Sequence, residues 1–253
     1  MTESNNIQQP TKYKILLIGD DCVDVYQYGT VDRISPEAPV PVFTYEYEEQ
    51  RPGMAANVKV NLEALGCDVS YMHSETSVKT RLIDRRSKQH IVRIDNDAKC
   101  KELNFSSAPP AYDAIVISDY NKGTVSHWLI HDLLKSQTCP IFIDTKKKDL
   151  ANFNGAYIKI NQLEASLATT KADPSWLITT LGSEGATWNG QNFKAEAVEV
   201  ADVCGAGDTF LAALVFQFLR TKDMPTAIEF AIRAASITVQ HLGVYAPTLK
   251  EIE

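Results

Sequence analysis

Residues 202–210, with the sequence D-V-C-G-A-G-D-T-F, combine the residue types needed for chemistry on an anion. The glycines Gly205 and Gly207 allow backbone N–H groups to converge on an anion, and a helix that begins here adds partial positive charge. Asp208 follows directly, where a carboxylate can accept the proton of an attacking hydroxyl. The stretch predicts phosphoryl transfer, with Asp208 as base and Gly205, Ala206 and Gly207 as anion hole. The alternative is a tight turn whose aspartate only caps a helix.

The elements around this stretch follow a pattern typical of βαβ units on a largely parallel sheet, because short β-branched runs alternate with helical segments. The predicted strands are residues 14–19, 69–72, 114–118, 141–144, 157–160 and 176–180. The predicted helices are residues 55–65, 126–134, 208–220 and 225–242. We therefore expect an α/β fold with a mostly parallel central sheet in one domain, residues 1–253.

Two segments, residues 23–47 and 79–95, interrupt this alternation. They alternate apolar and polar positions without intervening helices, which predicts a small antiparallel sheet apart from the main one. We expect this sheet to be a lid over the site and to offer the surface for a homodimer.

The composition excludes several classes of protein. The chain has 253 residues, of which 44% are hydrophobic, and a formal net charge of −7, so no basic field would attract nucleic acid or an anionic membrane. Five cysteines without C-x-x-C spacing indicate neither a disulfide framework nor a zinc site. No stretch is long and apolar enough to span a bilayer. We expect a cytoplasmic protein without nucleic-acid or membrane partners.

The stretch at 202–210 resembles the signature of the PfkB carbohydrate-kinase family, usually written D-T-x-G-A-G-D-x-F. Four further segments resemble family elements in the same order, namely Gly19-Asp20 with Asp24, residues 51–57 (R-P-G-M-A-A-N), residues 161–164 (N-Q-L-E) and residues 180–185 (T-L-G-S-E-G). The resemblance covers most of the chain and implies a ribokinase-like three-layer fold with ATP and Mg²⁺ as cofactors.

The resemblance also implies roles for individual residues. Asp24, at the end of the first strand, with Gly53 and Asn57, would contact the sugar. Asn161 and Glu164 would order Mg²⁺ through water. The nucleotide would lie against Lys146, Thr180, Gly182 and Gly185.

Within the family, residues 28–29, 33–42 and 118–123 resemble the kinase half of the bacterial lipopolysaccharide heptose enzymes. That resemblance implies phosphorylation of the anomeric hydroxyl of D-glycero-D-manno-heptose 7-phosphate, whose own phosphate needs cations. The candidates are Arg33, Arg51, Lys79 and Arg81, in or beside the lid. No H-x-G-H-type nucleotidyltransferase motif is present, so we expect a stand-alone kinase. The alternatives are a kinase for a ketose, pentose or nucleoside, and a catalytically idle ligand-binding relative.

The sequence departs from the family pattern at three places. Met54 replaces the second glycine of P-G-G, which brings a bulky side chain next to the sugar. Cys204 replaces a threonine, and we expect a small buried thiol. The connection between Tyr71 and Arg93 is shorter than in the family, which predicts either loss of a peripheral βα unit or loss of one wall of the sugar pocket.

Overall fold

The computed structural model describes residues 12–104 and 111–253, and these residues form twelve strands and six α-helices. The strands are β1 (Lys14–Gly19), β2 (Asp21–Ile34), β3 (Pro41–Met54), β4 (Asp68–Met72), β5 (Thr76–Asp84), β6 (His90–Asn96), β7 (Ala114–Asp119), β8 (Ile141–Thr145), β9 (Tyr157–Asn161), β10 (Leu177–Thr180), β11 (Ala186–Trp188) and β12 (Gln191–Phe193). The helices are α1 (Ala55–Ala64), α2 (His127–Ser136), α3 (Gln162–Leu167), α4 (Ala206–Thr221), α5 (Met224–Thr238) and α6 (Leu249–Ile252).

The larger sheet has eight strands in the order β12-β11-β10-β9-β8-β7-β1-β4. Six strands, β4, β1, β7, β8, β9 and β10, run parallel to one another. Strands β11 and β12 are antiparallel additions at one edge. In β1, Ile15 and Leu17 pack on one face and Leu16 and Ile18 on the other. A strand that is apolar on both faces requires a covering layer on each side. The three-layer α/β fold expected from the sequence is confirmed.

The two covering layers are unequal. Helices α1, α4 and α5 pack on one face, and α4 is buried along almost its whole length. The other face is covered by α2, which begins after Ser126, whose Oγ accepts the backbone N–H of Leu129 at 3.2 Å. Because α4 is buried against the central strands, its position relative to the sheet is fixed. Its N-terminus therefore holds residues 205–208 at the carboxyl edge of the sheet.

The smaller sheet has the order β3-β2-β5-β6 and corresponds to the predicted lid. The expectation of an antiparallel sheet is wrong for its central pair, because β2 and β5 run parallel, although β2–β3 and β5–β6 are antiparallel. The reason lies in the larger sheet. Strands β1 and β4 are parallel neighbours and pass almost directly into β2 and β5, so these two continue in the same direction.

The shortened connection noted in the sequence begins at the sheet edge. Strand β4 is the edge strand, and only His73, Ser74 and Glu75 separate it from β5. A βα unit that is absent here would lie outside β4, away from the centre of the sheet. This position favours the loss of a peripheral unit over the loss of a pocket wall.

Most predicted element boundaries agree with the structure within about two residues. The first lid segment was predicted to end at residue 47, but β3 continues to Met54, a difference of seven residues. Helix α5 ends at Thr238, whereas the sequence pattern predicted a helix to residue 242. Residues 240–243 instead turn back towards the lid, where the Leu242 carbonyl accepts a hydrogen bond from Arg51 at 3.2 Å. In the two described ranges, no helix is long and apolar enough to cross a membrane.

Candidate active site

Asp208 lies in the first turn of α4 and is 6% exposed. Its carboxylate accepts two hydrogen bonds, from Asn57 Nδ2 at 2.8 Å and from the Tyr120 hydroxyl at 3.0 Å. Asn57 comes from α1 and Tyr120 from the segment after β7. Three distant parts of the chain therefore hold this carboxylate in one orientation.

The environment of Asp208 disfavours its charged form. Burial raises the pKa of Asp208 from 3.8 to about 6, and the nearby Asp144 adds to this rise. The hydrogen bond from Asn57, the charge of Lys159 and the hydrogen bond from Tyr120 act in the opposite direction. A carboxylate with a pKa near neutrality suits a general base, because it is ionised at pH 7 and still accepts a proton.

Two glycines precede Asp208, and the first of them is required by space and backbone conformation. Gly205 has φ +78°, and a Cβ there would lie 2.8 Å from Asn57 Nδ2. A Cβ on Gly207 would lie 3.0 Å from Lys159 Nζ. Ala206 is the first residue of α4. The arrangement leaves backbone amides at a helix N-terminus accessible to an anion, as the sequence suggested.

A cavity of about 490 Å³ opens beside this helix N-terminus. Its wall includes Gly205, Gly207 and Asp208 on one side. The rest of the wall comes from the carboxyl ends of the parallel strands and the loops that follow them, with Tyr120, Asp144, Lys146, Lys159, Asn161, Gln162, Leu163, Thr180, Leu181 and Gly182. Ligands of open α/β sheets bind at this edge.

The sequence analysis missed three residues of this site, Tyr120, Asp144 and Lys159. Lys159 Nζ lies 2.7 Å from Asp144 Oδ2, and both side chains are at least nine-tenths buried. Asp144 and Lys159 are register partners on β8 and β9. In the sequence, each of the two apolar strand segments ends close to one charged residue. That pattern predicts an ion pair only if the two strands are known to be neighbours in the sheet.

The predicted nucleotide residues separate into two groups. Lys146, Asn161, Thr180 and Gly182 line the same cavity as Asp208. Glu164 and Gly185 do not line it. Gly185 has φ +97°, and a Cβ there would lie 1.9 Å from the Phe193 carbonyl oxygen, so this glycine is needed for the close approach of two chain segments.

Asn161 and Glu164 form a capping box at the start of α3. Asn161 Oδ1 accepts the backbone N–H of Glu164 at 2.8 Å, and Glu164 Oε2 accepts the backbone N–H of Asn161 at 2.8 Å. The other carboxylate oxygen of Glu164 forms an ion pair with Lys146. Direct coordination of a metal would break this cap. Within the described ranges, no three His, Cys, Asp or Glu side chains are arranged to hold a metal ion. The residues therefore fit Mg²⁺ only through intervening water.

The predicted sugar residues meet at the base of the lid. The expectation that Asp24 follows the first parallel strand is wrong in detail, because β1 ends at Gly19 and Asp24 lies within β2. The main-chain path continues into the lid, which carries Asp24 beyond the sheet edge. A Cβ on Gly53 would lie 2.6 Å from Asp24 Oδ2, so this glycine leaves space for the carboxylate.

Three of the four basic residues predicted to bind the phosphate of the sugar lie near Asp24. Arg81 donates to Asp24 at 2.6 Å, and Arg51 and Lys79 are register partners of Asp24 on the two neighbouring strands. Lys79 Nζ also lies 6.0 Å from the centre of the Tyr120 ring. Arg33 is not brought to this group, since it is exposed and lies nine residues further along β2, a distance of about 30 Å in an extended strand.

The two substituted family positions have different local effects. Burial, followed by a hydrogen bond to Asp202, raises the pKa of the Cys204 thiol to about 11. Its thiolate is therefore disfavoured. The expectation of a buried thiol is wrong in degree, because Cys204, in the loop before α4, is only partly buried. Met54 is buried and has φ +51° and ψ −131° at the N-cap of α1. Only glycine adopts this backbone conformation readily, so the replacement affects the main chain. Met54 is not among the residues that line the cavity beside Asp208.

Comparison with known proteins gives consistent matches. Residues 131–251 match the family model described as pfkB family carbohydrate kinase. The bifunctional protein HldE of Nitratiruptor sp. is 33% identical over 96% of this chain and 64% of that protein, and HldE of Pseudomonas aeruginosa is 31% identical over 94% and 62%. The chain thus spans less than two thirds of the length of these relatives. The first alignment has 302 positions, more than the 253 residues of the chain, so that relative contains residues without a counterpart here.

Two solved structures have the same fold. The ribokinase of Thermotoga maritima superposes with a TM-score of 0.70 at 16% identity and covers 95% of this chain and 98% of its own. Phosphofructokinase-2 of Escherichia coli superposes with a TM-score of 0.70 at 14% identity and covers 95% and 97%. The fold is therefore ribokinase-like.

Proposed function

The chain belongs to the pfkB family of carbohydrate kinases, and from this premise we propose that it transfers the γ-phosphoryl group of ATP to a sugar hydroxyl. One observation carries the proposal. The buried carboxylate of Asp208, with a pKa of about 6, lies between backbone amides at a helix N-terminus and a cavity at the carboxyl edge of the sheet. We take the chain as one kinase domain with a lid, acting in the cytoplasm.

In this mechanism Asp208 accepts the proton of the sugar hydroxyl as its oxygen forms a bond to the γ-phosphorus. The bond from that phosphorus to the bridging oxygen breaks, and its electron pair stays with ADP. The backbone amides of residues 205–207 stabilise the charge on the transferred group. Asn57 and Tyr120 keep the carboxylate in place through their hydrogen bonds.

The cofactors follow from the family and from the cavity wall. Lys146, Thr180 and Gly182 would contact the ATP phosphates and the adjoining part of the nucleotide. Mg²⁺, held through water by Asn161 and Glu164, would neutralise charge on the phosphates. Because both side chains already form the helix cap, their contribution is to orient water.

The variant Asp208→Asn tests the base. Asparagine keeps the shape of the side chain but cannot accept the proton, so we expect kcat to fall roughly 100-fold or more while ATP still binds. Steady-state kinetics and calorimetric titration with ATP measure the two effects. Activity within about threefold of the wild-type value would remove Asp208 from this role.

Asp223→Asn is a matched control for the alternative that Asp208 only caps a helix. Asp223 is the N-cap of α5, where its carboxylate accepts the backbone N–H of Thr226 at 3.0 Å. Asparagine is an equally good cap, so this variant should keep both activity and stability. A similar loss of activity in both variants would indicate a general effect of the substitution.

We further propose D-glycero-D-manno-heptose 7-phosphate as the acceptor, phosphorylated at its anomeric hydroxyl. Residues 33–42 and 118–123 resemble the heptose kinases, and Arg51, Lys79 and Arg81 gather beside Asp24 at the base of the lid. Arg81 is already paired with Asp24, and Arg51 with Glu49 and the Leu242 carbonyl, which leaves Lys79 as the better phosphate ligand. Arg33 lies too far from them to share that phosphate within one chain.

A panel of acceptors tests this assignment under identical Mg²⁺ and ATP concentrations. If cations bind a distal phosphate, its removal should lower kcat/KM at least tenfold, because one charge-assisted contact contributes about 1.5–3 kcal/mol. The panel compares heptose 7-phosphate with heptose, fructose and ribose by ADP release. Preference for an uncharged sugar would exclude the heptose phosphate and retain a sugar kinase. Turnover of no acceptor would favour an idle relative.

We also propose that two copies associate through their lids. The supporting observation is a group of exposed apolar side chains on the lid strands, Ile34, Tyr45, Tyr47, Ile91, Val92 and Ile94. Exposed apolar edge strands in soluble proteins are usually covered.

A further inference from the structure

Lys159 is a buried cation whose position the proposed mechanism does not yet use. It lies near the end of β9 with its side chain 5% exposed, and its Nζ forms an ion pair with Asp144 Oδ2 at 2.7 Å. Lysine is rarely buried unless its charge is compensated. Its presence next to Asp208 therefore needs a reason.

The ammonium group has unused hydrogen-bonding capacity. A lysine ammonium has three N–H donors, and in the described part of the chain only Asp144 accepts one from Lys159. Lys159 also lines the cavity that contains Asp208 and Gly207. Buried donors without partners are costly, so two free donors at a cavity indicate an acceptor that arrives with a ligand.

The ammonium group of Lys159 lies close to Gly207, in the first turn of α4. A Cβ built on Gly207 would lie 3.0 Å from Nζ, so Lys159 approaches the first turn of α4 from the cavity side. An anion that accepts the backbone N–H groups of this turn is therefore within reach of Nζ as well. A side chain on residue 207 would stand in the way of that contact.

We propose that Lys159 is a catalytic residue that donates hydrogen bonds to the oxygens of the transferred phosphoryl group. This inference rests on the proposed kinase function. During the reaction the sugar oxygen bonds to phosphorus, its proton passes to Asp208, and the electron pair of the broken bond stays on ADP. Lys159 keeps its proton throughout, and its contact strengthens as charge accumulates on the phosphoryl oxygens. Asp144 is the positioning residue that fixes the ammonium.

The test compares ligands with and without the γ-phosphate in the full chain. The variant Lys159→Met keeps the length of the side chain and removes the charge. We expect kcat to fall about ten- to a hundredfold, the usual effect of losing one charge-assisted contact. Calorimetry should show weaker binding of the β,γ-imido analogue of ATP with Mg²⁺, whereas binding of ADP with Mg²⁺ should change less than about twofold.

A second variant addresses the possibility that Lys159→Met fails to fold because it leaves Asp144 buried and unpaired. The double variant Lys159→Met with Asp144→Asn removes both charges. The same loss of discrimination between the imido analogue and ADP is expected in this protein, with a melting temperature close to that of the wild type.

Lys147→Met is the matched control. Lys147 is also buried and paired, with its Nζ 2.6 Å from Asp119 Oδ2, but it does not line the cavity. Its loss should reduce thermal stability and leave the ratio of the two nucleotide affinities unchanged. If Lys159→Met keeps that ratio and also keeps kcat, Lys159 is only the structural partner of Asp144 and the inference is wrong.

The outcomes also separate this inference from the proposed function. A wild-type protein that phosphorylates sugars, together with an unchanged Lys159→Met variant, contradicts the role of Lys159 alone. A wild-type protein that phosphorylates no sugar contradicts the proposed function. The affinity ratio of the two nucleotides still decides in that case whether Lys159 contacts the γ-phosphate.

Discussion

Asp208 combines the features of a general base with a cost to folding. Its charged form is buried, which raises its pKa to about 6, and two donated hydrogen bonds partly compensate. Because the folded-state pKa lies above that of the unfolded chain, this group favours folding most at low pH and loses that contribution as pH rises towards 6. The protein thus gives up some stability to keep a reactive carboxylate ionised at neutral pH.

This pKa predicts the pH dependence of catalysis. The active form of Asp208 is deprotonated, so kcat/KM should fall below about pH 6, by tenfold for each further unit. Rates measured from pH 5 to 8, at temperatures where circular dichroism shows a folded protein, give the midpoint. In Tyr120→Phe one hydrogen bond that lowers this pKa is lost, and the midpoint should move to higher pH. A flat profile down to pH 5 would argue against Asp208 as the base.

Sequence reasoning found the residues that belong to contiguous motifs and missed those that depend on strand order. Glycine spacing and family resemblance mark Asp208, Asn57 and Asn161 in the sequence, and the structure brings them together, since Asn57 donates to Asp208 and both Asp208 and Asn161 line the cavity. Asp144 and Lys159 come together only because β8 and β9 are neighbours in the sheet. The local sequence around each of them does not contain that information.

At the level of elements, the turn between β3 and α1 has an unfavourable residue. Met54 adopts φ +51° and ψ −131° in the position where family members have glycine. A side chain in such a conformation costs of the order of 1–3 kcal/mol. The chain nevertheless folds this turn, because Ala55 N–H donates to the Asp20 carbonyl at 3.1 Å and fixes the start of α1.

Two substitutions at Met54 separate this backbone cost from packing. Met54→Gly and Met54→Ala both remove the buried side chain, but only alanine keeps a Cβ in the unfavourable conformation. We expect the glycine variant to be more stable by about 1 kcal/mol, the reverse of the usual order of these residues. Urea unfolding of both variants measures the difference. An alanine variant of equal or greater stability would mean that the turn adapts without strain.

Element prediction was accurate where the pattern of apolar residues is local. The six parallel strands of the larger sheet and the buried helix α4 were predicted from β-branched runs and from one apolar helix face, whereas the three-residue strands β11 and β12 were missed. The parallel pairing of β2 with β5 was not, because the alternation of polar and apolar residues gives the exposed face of a strand but not its direction. That direction follows from β1 and β4, to which the lid strands are attached.

On the scale of the whole molecule, the lid connects the proposed sugar site with the proposed contact between copies. One face of the lid carries Asp24, Lys79 and Arg81 next to the proposed substrate. Val92 and Ile94 alternate on β6 with Arg93, which pairs in register with Arg81, so they lie on the opposite face. These two side chains are 45% and 54% exposed. A second copy on that face would restrict lid movement without occupying the substrate site.

The proposed association predicts a dimer in solution. Light scattering after size-exclusion chromatography should give about twice the chain mass of 28.1 kDa. Val92→Lys with Ile94→Lys should yield a monomer, because two buried ammonium groups would oppose contact between apolar surfaces. Trp128→Lys is the matched control, since Trp128 is an exposed apolar residue on α2, outside the lid, and its loss should leave the dimer intact. If the lysine pair keeps the dimer mass, the contact lies elsewhere. If the wild-type protein is a monomer at all micromolar concentrations, the proposed dimer is wrong.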